Sequence, residues 1–243
     1  MCFTVNVNII KDELERRYGG QFYDHENHRP SYYYHAYSFP ELPAVIREAA
    51  GDNTIRLLKW GLIPSWTESD EDASRIRSMT LNARSESLLE KPAFSDSFTR
   101  RRCIIPVRGF FEWKHVAGKK VPYYIFNPEQ PVMSIAGLYD RWASRDGTGE
   151  VYSFSIITTT ANKLMAEIHN SKKRMPVIIN PSDEEAWLYT GTAVDKLRFL
   201  MTSYPDGILD AHTISPMIGN TRIDRNRPEI IKPYSYPTDQ TLF

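Results

Sequence analysis

Apolar and polar residues alternate along "FTVNVNI" (3–9), a period of two that predicts a strand. Lys11 to Tyr18 ("KDELERRY") switches to helix formers and stops at Gly19-Gly20, where glycine can take the left-handed turn that ends a helix. Residues 21–53 are aromatic, His- and Pro-rich, and read as irregular. "TIRLLKWGL" (54–62) reads as a strand broken by Pro64, and the polar stretch 67–78 as a surface loop. Strand patterns return in "CIIPVRGFFEW" (103–113), "VPYYIFN" (121–127), "VMSIAGLYDRW" (132–142) and "VYSFSIITTT" (151–160), joined by turn-rich links. "ANKLMAEIHN" (161–170) spaces Leu164, Met165 and Ile168 along one helix face, and "MPVIIN" (175–180) reads as a short buried strand. "PSDEEAWLY" (181–189) opens with a proline and acids that suit a helix N-terminus, and "TAVDKLRFLMTS" (192–203) is an amphipathic helix. From about residue 222 the chain is polar and Pro-rich. Together these predict a single α+β domain over 1–243, with a core at about 2–220, a mainly antiparallel, barrel-like sheet and peripheral helices.

Thirty basic and thirty acidic residues cancel, so no global charge draws the protein to nucleic acid. Phosphate binding must come from local clusters such as Lys172-Lys173-Arg174, or Arg222, Arg225 and Arg227. Two cysteines far apart make no disulfide framework and fit a cytoplasmic protein. No apolar run of about 18 residues is present to span a membrane, and the N-terminus lacks a signal-peptide pattern.

One of those cysteines stands at position two. Loss of Met1, favoured by a small second residue, would give Cys2 a free α-amine and a thiol on adjacent carbons. The alternative is a small hydrophobe that starts a strand. "LNARSESL" places Asn82, Arg84 and Glu86 on alternate positions, which face one way if the backbone is extended; otherwise Asn82 caps a following helix. "GFFEW" sets Glu112 among aromatic residues, where desolvation would raise its pKa; simple alternation would instead turn it to water. His169 ends the 161–170 helix, as an acid–base group or as a complement to the helix dipole. Trp60 and Trp66 are stacking candidates if exposed and core if buried. His25 and His28 form an H-x-x-H pair without the further spacings of a zinc site, and Cys103 reads as a buried strand residue. No metal or cofactor motif is present, nor a G-x-S-x-G or a phosphate-binding loop.

Cys2, W-G-x-x-P-x-W, N-A-R-x-E, G-F-F-E-W and I-H…R-M-P occur in the order of the SRAP (SOS-response-associated peptidase) family, which the chain resembles from Cys2 to about 220. That resemblance implies a single α+β domain with a barrel-like core and a groove for single-stranded DNA, in which abasic sites are trapped covalently. It implies Cys2 as nucleophile and Asn82, Glu112 and His169 as its catalytic companions. Arg84 would contact a phosphate, Trp66 would lie beside the DNA, and Thr158 and Arg174 would make further contacts. The implied partner is single-stranded DNA containing abasic sites, with single–double strand junctions as a variant, bound by a monomer in the cytoplasm or on the nucleoid. This chain departs from the pattern in three places. It reads Cys2-Phe3-Thr4 where many members have Cys-Gly-Arg, "YHAYSFPELP" (34–43) replaces Y-N-x-A-P, and "NSKK" precedes Arg174.

The chemistry follows from the aminothiol. The amine condenses with the ring-opened aldehyde of an abasic site to a Schiff base, and the thiol closes a five-membered thiazolidine before β-elimination can cut the strand. Residual abasic-site lyase activity fits the same groups. The family name carries an alternative: a cysteine-type peptidase that releases Met1 or cleaves other peptides with this site. A nucleic-acid reader without covalent chemistry is a third, and it leaves the position of Cys2 unexplained.

Overall fold

The computed structural model describes residues 2–47, 51–144, 147 and 149–237. In chain order the first half holds β1 (Thr4–Val7), α1 (Lys11–Tyr18), β2 (Gln21–Phe22), β3 (Ser31–His35), β4 (Glu41–Arg47), β5 (Asn53–Trp60), α2 (Asp70–Met79), β6 (Asn82–Arg84), α3 (Pro92–Arg100), β7 (Arg102–Val107) and β8 (Gly109–Val116). The second half holds β9 (Lys119–Phe126), β10 (Met133–Ala143), β11 (Glu150–Thr160), α4 (Lys163–Ile168), β12 (Arg174–Pro176), β13 (Ile178–Ile179), α5 (Glu184–Leu188), α6 (Val194–Leu200) and β14 (Asp210–Thr213).

The strands form two sheets. The smaller runs β14-β9-β8-β1-β3, antiparallel throughout. The larger runs β12-β11-β10-β7-β4-β5-β2, and a parallel pairing of β5 with β11 closes five of its strands into a ring. Most pairings are antiparallel and helices are interspersed between the strands, so the expected α+β architecture with a barrel-like sheet is observed. Among the described residues no helix is long and apolar enough to cross a membrane.

Three local expectations are corrected. Residues 70–79 are a helix, not a loop. The Ser69 hydroxyl accepts the Asp72 N–H at 3.1 Å, and Asp70, Glu71 and Asp72 occupy the positive end of the helix dipole. Only Ala73 of this helix is buried, so it carries no apolar stripe to reveal it. Residues 21–53 are not irregular throughout, since they supply β2, β3 and β4. Their alternation is absent because β4 is apolar on both faces (burial runs unbroken from Leu42 to Ile46) and β3 is half-covered along Tyr32 to His35. The third concerns "CIIPVRGFFEW", which is two strands in different sheets. The chain turns at Arg108, whose N–H donates to the Asn6 carbonyl at 2.8 Å.

Gly109 makes that turn possible. A Cβ there would meet the Tyr124 ring at 2.5 Å and the Ile125 carbonyl at 2.6 Å, so β8 could not close on β9 with any other residue. Beyond it, Phe110 enters the main core while Phe111 enters a second small cluster with Tyr124, Ile214, Ile218 and Ile230. Both faces of the sheet are therefore covered at this point. Alternation does not send Glu112 to water; the residue is only 6% exposed.

Candidate active site

The site forms where the N-terminal strand meets β8 and the end of α4. Cys2 is wholly buried, just ahead of β1. The Phe3 carbonyl accepts the Ala36 N–H at 2.8 Å, and Val5 pairs with Phe110 of β8, so the start of the chain is stitched on both sides. Burial pushes the Cys2 thiol up, and the nearby Glu112 carboxylate pushes it further, so the thiol is neutral at physiological pH. Met1, whose removal the aminothiol chemistry requires, lies outside the described residues.

Burial also raises Glu112, to about 7, with the charged amino terminus and then the Trp113 backbone N–H pulling the other way. A carboxyl titrating there can give and take a proton at neutral pH. Its Oε1 lies 3.8 Å from Nδ1 of His169, the residue that terminates α4. Nδ1 is also 2.9 Å from the Arg174 carbonyl. A carbonyl can only accept, so Nδ1 carries the hydrogen and Nε2 the lone pair of the neutral ring. Burial lowers the His169 pKa, against the Arg174 carbonyl, and His115 and Lys172 lower it further. The pair therefore combines a carboxyl held partly protonated with an imidazole held neutral.

Asn170 fixes this approach. Its Oδ1 accepts the His115 N–H at 3.1 Å and its Nδ2 donates to the His115 carbonyl at 2.8 Å, pinning the end of α4 to β8 three residues past Glu112. The motif reading missed Asn170; the signal was its place between His169 and the inserted basic turn, and a turn asparagine by itself predicts no such clamp.

Asn82 lies on β6, which pairs in parallel with β11, so the residue does not cap a helix. Both polar atoms of its carboxamide are buried, and neither has a hydrogen-bond partner among the described residues. Leaving such a group unsatisfied costs about 1–3 kcal/mol, a cost that a ligand could relieve. Arg84, two residues on, shares that face of the strand and is exposed.

Thr158 sits between β6 and β12, paired to Arg84 on one side and Pro176 on the other, and is fully buried. The Arg174 guanidinium donates to its hydroxyl at 3.1 Å and its carbonyl at 2.6 Å, and grips Glu86 with two further bonds. Arg174 is thus 9% exposed and paired. Trp66 is 55% exposed on the loop after β5, which is held by Ser65 N–H to Asp140 and by Trp142 to the Thr67 carbonyl. That loop meets β11 at Ser153, about 16 Å along the strand from Thr158. Trp60 is core: fully buried, stacked on Phe154 and bonded to the Leu81 carbonyl. Cys103 is buried in β7, and the His28 ring is bonded to the Ile9 carbonyl at 2.8 Å. Among the described residues no group of three or more His, Cys, Asp or Glu is placed to hold a metal.

Comparison with known proteins gives the chain its family. Residues 1–221 match the family model described as SOS response associated peptidase (SRAP). The abasic site processing protein YoqW of Bacillus subtilis is 33% identical over 96% of this chain and 99% of its own. The abasic site processing protein HMCES of Xenopus tropicalis is 31% identical over 74% of this chain and 57% of its own. A crystal structure of a protein from Bacteroides thetaiotaomicron superimposes with a TM-score of 0.89 at 36% identity, covering 96% of this chain and all of that one. By sequence and by fold, the chain belongs to the SRAP family.

Proposed function

We propose that this protein processes abasic sites in single-stranded DNA by capturing the ring-opened aldehyde on Cys2 as a thiazolidine. The observation that carries the reading is the convergence of Cys2, Glu112 and His169 in one buried site. The relatives named as abasic site processing proteins support the same substrate.

Each group has a task. With Met1 removed, the Cys2 amine attacks C1′ of the aldehyde and water leaves, giving the imine. The thiol then adds to the imine carbon; its proton passes through Glu112 to the nitrogen, and atoms balance with one water released. Because amine and thiol share one residue, ring closure is intramolecular, where effective molarities reach about 10⁵–10⁸ M. That advantage lets capture outrun strand-breaking β-elimination. Protonated Glu112 donates to the sugar ring oxygen during ring opening, and His169 Nε2 relays protons beside it. The Asn82 carboxamide holds the sugar or the Cys2 nitrogen. Arg84 meets a phosphate and Trp66 stacks further along the strand, with Thr158 and Arg174 bracing the site end of β11.

The test is incubation with a single-stranded oligonucleotide carrying one abasic site, read as a denaturant-resistant conjugate. A variant with a non-removable residue ahead of Cys2 keeps the thiol but turns the amine into an amide. It forms no stable conjugate, whereas a thiol peptidase would keep its nucleophile. Normal crosslinking by that variant overturns the thiazolidine route.

A further inference from the structure

Two departures from the family pattern meet in space. Thr4 pairs directly with His35, and Phe3 bonds through its carbonyl to Ala36, so "Cys2-Phe3-Thr4" lies against "YHAYSFPELP". Along this edge four rings run in sequence. Phe3 packs on Tyr37 at 5.3 Å between centroids, Tyr37 on His35 at 5.7 Å, and His35 stacks on Tyr33 at 6.2 Å and 14°. Tyr37 is 57% exposed, and β3 is the edge strand of its sheet. The row begins at Phe3, the residue next to the nucleophile.

Arg225 closes the far end. Its guanidinium lies 4.1 Å over the Tyr33 ring and donates to the Tyr33 hydroxyl at 2.8 Å, with Thr4 beside the same hydroxyl. The segment that delivers it is anchored by the Tyr32 N–H donating to Asn226 Oδ1 at 2.9 Å. Among the described residues Arg225 has no carboxylate partner, so its positive charge is uncancelled by an ion pair. It also lies beyond residue 221, where the family match ends. Burial, and then Arg225 itself, lowers the pKa of His35, whose Nδ1 accepts the Tyr37 N–H, so that ring presents a neutral face at pH 7.

Tyr37 is the exposed ring of the row, and Phe3, His35 and Tyr33 are half-buried beside it. Aromatic rings with a cation at one end are what sequence-tolerant binding of a single strand uses: bases stack on rings while the charge meets the backbone. We propose that Phe3, Tyr37, His35 and Tyr33, closed by Arg225, form a stacking track for the nucleotide flanking the abasic residue, with Arg225 on its phosphate. The proposal rests on the abasic-site reading for its ligand. It assigns the DNA contact at this edge to residues in and beside the two segments that depart from the family pattern.

The test uses a single-stranded oligonucleotide carrying a tetrahydrofuran abasic analogue, which has no aldehyde and cannot be crosslinked, flanked by 2-aminopurine. The wild-type protein binds it and quenches 2-aminopurine on one side of the lesion. Tyr37→Ala loses the quenching and weakens binding about 5- to 100-fold, and Tyr37→Trp retains both. Arg225→Ala flattens the plot of log affinity against log salt by about 0.7. Thermal unfolding of each variant shows that the fold is kept. Wild-type affinity, quenching and salt slope in both Tyr37→Ala and Arg225→Ala overturn the track, as does failure of the wild type to bind. A wild type that binds and quenches but forms no conjugate with a true abasic site overturns the covalent reading and leaves the track standing.

Discussion

Glu112 Oε1 stands 3.8 Å from His169 Nδ1, while that nitrogen is committed to the Arg174 carbonyl at 2.9 Å. The carboxyl, raised by burial to about 7, is therefore the group at this junction that changes protonation near neutral pH. In the proposed mechanism, conjugation needs Glu112 protonated and the Cys2 amine, with a reference pKa of about 7.7–8.0, deprotonated. The rate should peak between the two values. Glu112→Gln should lower the rate about 10²- to 10⁴-fold and remove the alkaline fall, so that the rate only rises with pH to a plateau. Single-turnover crosslinking across pH 5.5–9 checks both features.

The same shift has a sign for stability. Folded Glu112 titrates near 7, above the reference carboxyl value of about 4.3 that applies to the unfolded chain. Between those values the folded state binds more protons, so this group's contribution falls as pH rises through the window and is least favourable above 7. Glu112→Gln removes the cost of ionising a buried carboxyl. It should raise stability by about 3 kcal/mol at pH 8 and by little at pH 4.5, as measured by urea unfolding at both values.

Asn82 keeps a buried carboxamide without a protein partner. Asn82→Ala should leave the fold intact or stabilise it by about 1 kcal/mol, because the unsatisfied group is gone. Conjugation should fall at least about tenfold if that amide serves the substrate, as a lost hydrogen bond to a reacting group of about 1.4 kcal/mol implies. Paired unfolding and crosslinking measurements decide it.

The clamp from Asn170 to both backbone groups of His115 makes a subtler prediction. Asn170→Ala should slow conjugation several-fold without weakening affinity for an intact single strand, since its carboxamide is engaged with the His115 backbone beside His169. Asn170→Asp keeps the acceptor for the His115 N–H and should recover part of the rate. A loss of affinity equal to the loss of rate would speak against a positioning role.

Cys2→Ser separates the two halves of the aminothiol. Its free amine still forms an imine, but the hydroxyl closes the ring poorly. The expected product is a labile adduct trapped by borohydride, with more strand cleavage than the wild type; gel analysis with and without reductant distinguishes the outcomes.

Periodicity and local chemistry determined a good deal. Alternation in 3–9, 121–127, 132–142 and 151–160 identified strands of the sheets, and Gly19, at φ +64°, ends the first helix where it was expected. Such features depend on neighbours in sequence, which the chain displays directly. Where a segment is covered on both faces, or buries one residue, the pattern carries no such signal. That is why β3, β4 and α2 escaped it, and why Glu112 could be named but not placed. Cys2, Glu112 and His169 were legible as chemical types. Their union, the tautomer of His169, the engagement of Arg174 with Glu86 and Thr158, and the Arg225–Tyr33 stack are contacts between residues from 5 to 192 positions apart. Only the turn at Arg108, the pairing of β11 with both β6 and β12, and the return of the C-terminal segment to β3 bring them together, because burial and hydrogen-bond geometry are properties of the assembled sheets rather than of any stretch of sequence.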